Sequence, residues 1–181
     1  MIWVSGIQFD QGGMPMAGHG SDIDRSAEWE ALKARYLRPL GERPASSARG
    51  LHHFAVLSSD VERTISFYQD ILEFPLVELF ENRDYRGSTH FFFDVGHGNY
   101  LAYFDFPGLD LGEYREVLGG LHHIAISVVP EQWDRLVHKL EAAGVETLIV
   151  DGTSVYFPGP DGERLELLSH PLNDMYGTIV G

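Results

Sequence analysis

The 181-residue chain contains no cysteine. Disulfides and thiolate chemistry are therefore excluded, and any metal ion must be held by His, Asp or Glu. Cations are scarce: 13 Lys and Arg stand against 27 Asp and Glu, a formal charge of −14. So acidic a chain is repelled by nucleic acid and by anionic membrane surfaces, and neither is an expected partner. No apolar run approaches the roughly 18 residues that span a bilayer. The opening MIWVSGIQFDQGG lacks a basic start and a long apolar stretch, so it does not read as a signal peptide, and a cytoplasmic location is expected. With 44% hydrophobic residues, the chain can bury one sizeable core, or two small modules sharing one.

What is present is an internal repeat. Leu51-His52-His53-Phe54-Ala55 returns as Leu121-His122-His123-Ile124-Ala125, each copy opening a strand-like run. A helix-like segment follows each run: Asp60 is a candidate N-cap for the first, and Pro130 is suited to the first turn of the second. Three further strands close each copy, near 76–82, 88–95 and 99–106, and near 146–150, 153–158 and 164–169. The chain thus divides into an N-terminal arm with one helix and a linker (1–50), a first βαβββ module (51–106), a connector (107–120), a second βαβββ module (121–170) and an irregular tail (171–181). Within the arm, Trp29, Leu32 and Tyr36 recur at helical spacing. The expected fold class is α+β: two βαβββ modules pair into a curved mixed sheet, with helices on its convex side and a metal-binding cup on its concave side.

Strand alternation decides which residues share a face. Ile124, Ile126 and Val128 face the helix, so His123 faces away; Phe54 and Val56 do the same for His53. In the last strand Leu165 and Leu167 are the buried pair, which sends Glu166 and Arg164 to the histidine face, and Tyr156 shares that face. His52 and His122 have the opposite parity and read as structural. Two neutral imidazoles and one carboxylate hold a divalent ion and leave adjacent positions free for a substrate with two neighbouring oxygens. Fe or Mn suits such a site first, with Zn or Ni as alternatives. On the same face, Phe92, Tyr100 and Phe104 would floor an apolar substrate, and His90 would move a proton.

Several segments carry a family resemblance. HFAVLSSDVERTISFYQDILEFPL (53–76), HHIAISV (122–128) and FPGPDGERLEL (157–167) resemble the module openings and the "DPDG…EL" ending of the vicinal oxygen chelate superfamily, over about 51–170. That superfamily includes glyoxalases, extradiol dioxygenases, fosfomycin-resistance enzymes and bleomycin-resistance proteins. The resemblance implies four cup positions, His53, Ala102, His123 and Glu166, with Ala102 replacing a carboxylate. A His, His, Glu set with Tyr156 nearby is similar to the extradiol dioxygenases. This makes a metal-dependent dioxygenase the first expectation, with Tyr156 and His90 as catalytic residues and Phe92, Tyr100, Ala102, Phe104 and Arg164 lining the substrate pocket. A glyoxalase-like lyase, isomerase or epimerase is the alternative, and a metal-free binding protein of the bleomycin-resistance kind the third. Against the fosfomycin group, no basic residue follows Glu166, and Ala55 stands where those enzymes present a hydroxyl. A homodimer is expected, and the cup forms either within one chain or across two.

Overall fold

In the computed structural model, which describes residues 23–181, both repeats fold into four-stranded sheets of identical strand order. The first comprises β1 (His53–Leu57), β2 (Leu76–Glu81), β3 (Thr89–Asp94) and β4 (Tyr100–Phe104) in the order β1-β4-β3-β2. The second comprises β5 (Ile124–Ser127), β6 (Leu148–Val150), β7 (Ser154–Pro158) and β8 (Arg164–Leu168) in the order β5-β8-β7-β6. First and last strands of each module run parallel, and the other pairs are antiparallel. A parallel pair needs a crossover, which the helix after each first strand begins.

Ahead of the sheets lies α1 (Ser26–Tyr36), with none of its residues buried; α2 (Val61–Ser66) and α3 (Pro130–Ala142) belong to the modules. Asp60 caps α2 by accepting the Arg63 amide at 3.0 Å. The helix then widens into a π turn, Phe67–Ile71, which turns both Phe67 and Tyr68 into the core. Pro130 opens α3, and Gly144, at φ +74°, follows its end. The tail departs from its reading as irregular. Asp174–Met175 (β9) and Thr178–Ile179 (β10) form a hairpin, turned through Tyr176 and Gly177, both at positive φ.

Alternation sorts the faces as the sequence implies. Val155, Phe157, Leu165 and Leu167 of the second sheet and Phe91, Phe93, Leu101 and Tyr103 of the first are almost wholly buried. They join Tyr68, Leu72, Trp133, Leu136, Val137 and Leu140 in a single core. The helix sides of both modules therefore meet each other: Phe67 lies 6.4 Å from Phe157 between ring centres, and Lys139 of α3 donates to the Asp70 carbonyl and to Glu73. The histidine faces consequently point outward from a shared interior. The fold class agrees with expectation. Of the two arrangements left open for the cup, closure within one chain is not seen among the described residues.

A polar latch crosses the same core. Glu163, in the turn before β8, is 2% exposed and accepts from the hydroxyls of Tyr68 and Tyr103, each at 3.2 Å. Its other oxygen accepts the Asp161 amide, and Asp161 itself binds Ser59 and Arg63 of the first module. Burial pushes the Glu163 carboxyl above the ordinary glutamate range, although its hydrogen bonds pull the other way. A carboxyl raised in the folded state stabilises fully only below its unfolded pKa, and that contribution is lost as pH rises through the folded value. Glu163→Gln should therefore gain stability relative to the natural chain as pH climbs from 4 to 8, measured by urea unfolding. A difference that does not change with pH would remove the latch from the stability of the fold.

Candidate metal centre

The second module assembles most of the predicted site. His123 precedes β5, Glu166 lies in β8, and Tyr156 in β7 is the cross-strand neighbour of Glu166. His123 Nε2 is 3.2 Å from Glu166 Oε2, and the His123 and Tyr156 rings meet edge to face at 5.8 Å. Glu166 is 4% exposed. Burial alone would raise its carboxyl, but hydrogen bonds from His123, Ser154 and Tyr156 outweigh that and hold it below the usual range. The Tyr156 hydroxyl is pushed far up, first by burial and then by its bond to Glu166, and so stays a proton donor.

His53 stands on the outward face of the first module, edge to face with Phe92 at 5.9 Å. Around it are the other predicted pocket residues of that module. Phe104 stacks on His90 at 3.8 Å, Tyr100 lies 6.2 Å from His52, and Ala102 is fully buried in register with Phe92. Burial, and then the nearby His53, lower the pKa of His90, which favours its neutral form. Among the described residues no three His, Asp or Glu side chains gather within one chain. The pair His123–Glu166 and the lone His53 thus occupy separate outward faces.

Two residues read as structural do more than that. His122 Nδ1 contacts His123 Nδ1 at 2.6 Å, and His52 Nδ1 contacts His53 Nδ1 at 2.9 Å. The repeated histidine doublet was itself the signal, because each first histidine braces the second. The protons in the second module follow from chemistry. Arg164 can only donate, and its Nη1 lies 3.2 Å from His122 Nε2. His122 therefore carries its proton on Nδ1 and donates it to His123, whose own proton sits on Nε2 toward Glu166. A cation bound at His123 Nε2 takes the place of that proton. Donor types and spacing suit one half of a His, His, Glu set, with the third donor missing from this face.

Arg164, expected in the substrate pocket, makes a short ion pair with Glu116 of the connector. Their side chains are 4% and 9% exposed. Nothing in the sequence marks Glu116, because only the folded connector carries it to β8.

Duplicated βαβββ sheets of identical strand order are the architecture of the vicinal oxygen chelate proteins. The chain belongs to the Glyoxalase/Bleomycin resistance protein/Dioxygenase superfamily, whose family model matches residues 50–167. It is 31% identical over 126 residues to the metallothiol transferase FosB of Shouchella clausii, covering 65% of this chain and 78% of that protein. Glyoxalase I from Leishmania major shares 25% identity over 67% of this chain and 86% of its own, with a TM-score of 0.54. A FosX from Listeria monocytogenes, solved with Mn(II) and dihydroxypropylphosphonic acid, shares the fold at 24% identity; the match covers 68% of this chain and 94% of that one, with a TM-score of 0.52. No helix among the described residues is long and apolar enough to cross a membrane.

Glu116→Ala should cost about 3–5 kcal/mol, because it strands a buried guanidinium. The paired replacement Glu116→Leu with Arg164→Met should cost less than that single change. Guanidinium unfolding midpoints of both variants measure the difference, and equal losses would show that the ion pair is not what stabilises this corner.

Proposed function

We propose that this chain is a divalent-metal enzyme acting on a small molecule with two neighbouring oxygens, its centre formed by His123 and Glu166 of one copy and His53 of a second. The observation that supports the reading is the His123–Glu166 pair, 3.2 Å apart beside Tyr156, with the carboxylate buried and the imidazole half-buried. When bound, the ion supplies Lewis acidity for a developing oxyanion on the substrate. Fe(II) or Mn(II) suits this donor set first, and Zn(II) or Ni(II) next.

The chain's own residues divide the remaining work. Glu166, kept ionised by three hydrogen bonds, carries the negative charge of the ligand set. His122, positioned by Arg164, fixes the His123 ring. Tyr156 holds a proton that it can share with substrate oxygen. His90, neutral and on the first module's outward face, accepts or returns a proton at its free nitrogen.

Among reaction types, we favour ring-cleaving dioxygenation of the extradiol kind, with glyoxalase-like isomerisation as the second reading. The likeness to glyoxalase I supports the second. Transfer of a thiol, the chemistry printed in the FosB name, is less favoured for a phosphonate substrate, because Arg164 on that face is already engaged by Glu116 and His122. Oxygen uptake with catechol, against anaerobic turnover of a methylglyoxal–thiol adduct, separates the two preferred readings.

Mixing variants tests the shared centre. His53→Ala and Glu166→Ala homodimers should each lose bound metal. Their random mixture should recover about a quarter of the natural content, since half the dimers are mixed and each of those carries one intact centre of two. Elemental analysis after dialysis gives the result. No recovery on mixing, or full metal in Glu166→Ala, would overturn the ligand assignment.

A further inference from the structure

The two half-sites carry the same histidine doublet in different settings. In the first module His52 meets His53 from an exposed position, and among the described residues no ion pair reaches either ring. In the second module the connector reaches the doublet through two side chains. Tyr114 Oη donates to the carbonyls of Leu121 and His122, at 2.9 and 3.2 Å, and fixes the backbone ahead of β5. Two residues on, Glu116 pairs with Arg164, and its Oε2 lies 4.0 Å from His122 Nε2. Contacts then run in sequence to the candidate centre. Arg164 Nη1 is 3.2 Å from His122 Nε2, His122 Nδ1 is 2.6 Å from His123 Nδ1, and His123 Nε2 is 3.2 Å from Glu166.

Arg164 poses an electrostatic conflict. It shares β8 with Glu166, two residues away, and its guanidinium stands one imidazole from the ring that would bind the ion. A buried unit charge acts on a divalent ion through an interior that screens weakly, so an unopposed guanidinium here repels the cation. The same group has a use, because a side chain that can only donate fixes the His122 proton on Nδ1. Glu116 reconciles the two. Its carboxylate offsets the charge and leaves the guanidinium in place as a donor. The connector's other carboxylates nearby, Asp110 and Glu113, are exposed, where water and salt screen them.

We infer that Glu116 is a positioning residue of the metal centre: by offsetting the charge of Arg164, it lets the guanidinium align His122, and through it His123, without repelling the cation. The inference rests on His123 and Glu166 as ligands. It makes the connector a working part of the centre, and it sets the second module's doublet apart from the first.

Calorimetric titration of the full-length protein with Mn(II) tests the role of charge. Glu116→Gln should weaken binding about tenfold, the lower end of what outer partners of metal ligands contribute. Adding Arg164→Met to it should restore most of the affinity, which a merely structural role would not do, and should free the His122 proton to occupy either nitrogen. Glu113→Gln, which removes an equal charge from an exposed position on the same connector, should bind as the natural chain does. Heteronuclear NMR of the imidazole nitrogens tests the alignment in the metal-free natural protein: His122 should carry its proton on Nδ1 and His123 on Nε2. That measurement needs no variant, so it decides even where Glu116→Gln does not fold. Undiminished affinity in Glu116→Gln, a double variant as weak as the single one, an equal loss in Glu113→Gln, or a His122 proton on Nε2 would overturn the inference. Glu166→Gln separates it from the reading on which it rests: unchanged Mn(II) binding there overturns the ligand assignment, whereas the His122 tautomer still decides the alignment.

Discussion

One packing constraint governs this molecule: both sheets bury the same side, against each other and against α2 and α3. Leu165, Leu167, Val155 and Phe157 from one repeat and Phe91, Phe93, Leu101 and Tyr103 from the other cannot all leave water unless the helix sides meet. Period-two alternation then leaves no choice about the chemistry. Every residue between those apolar positions, including His53, Ala102 and Glu166, must face outward. The candidate centre is a by-product of where the core lies.

Polar groups make that contact specific. Apolar surfaces slide, whereas a carboxylate accepting two tyrosine hydroxyls across the module boundary fixes one alignment. Gly159 belongs to this detail, since a β-carbon there would overlap the Glu163 carboxylate. The Pro160-Asp161-Gly162-Glu163 turn therefore does two jobs: it reverses the chain between β7 and β8, and it fastens one repeat to the other.

Much of this was legible in the amino-acid order. The duplicated His-His doublet located both first strands, and Leu165 and Leu167 fixed the side on which Glu166 emerges. The βαβββ pattern is legible in both repeats, and the two sheets share one strand order. Alternation could not say which faces of separate sheets would meet, because that is decided by the fit of Phe67 against Phe157 and of Tyr68 against Glu163, residues far apart in sequence. The same holds for Arg164. Alternation assigns it a face, but the partner that claims it comes from a connector with no regular period. His52 and His122 were set aside on parity, though an imidazole of either parity next to a ligand can still reach it through Nδ1.

A body that carried the proposed halves on separate outer faces would have two ways to satisfy them. Paired about a two-fold axis, it closes after one partner; joined head to tail without closure, it propagates as a filament. The hairpin at 174–179 and the exposed helix at 26–36 lie outside the duplicated sheets, and one guanidinium, that of Arg43, ties the arm to the tail at Val180. If copies pair through the proposed halves, the bulk of these appendages bears on the angle at which a neighbour approaches, and approach angle is what separates a finite particle from an endless one.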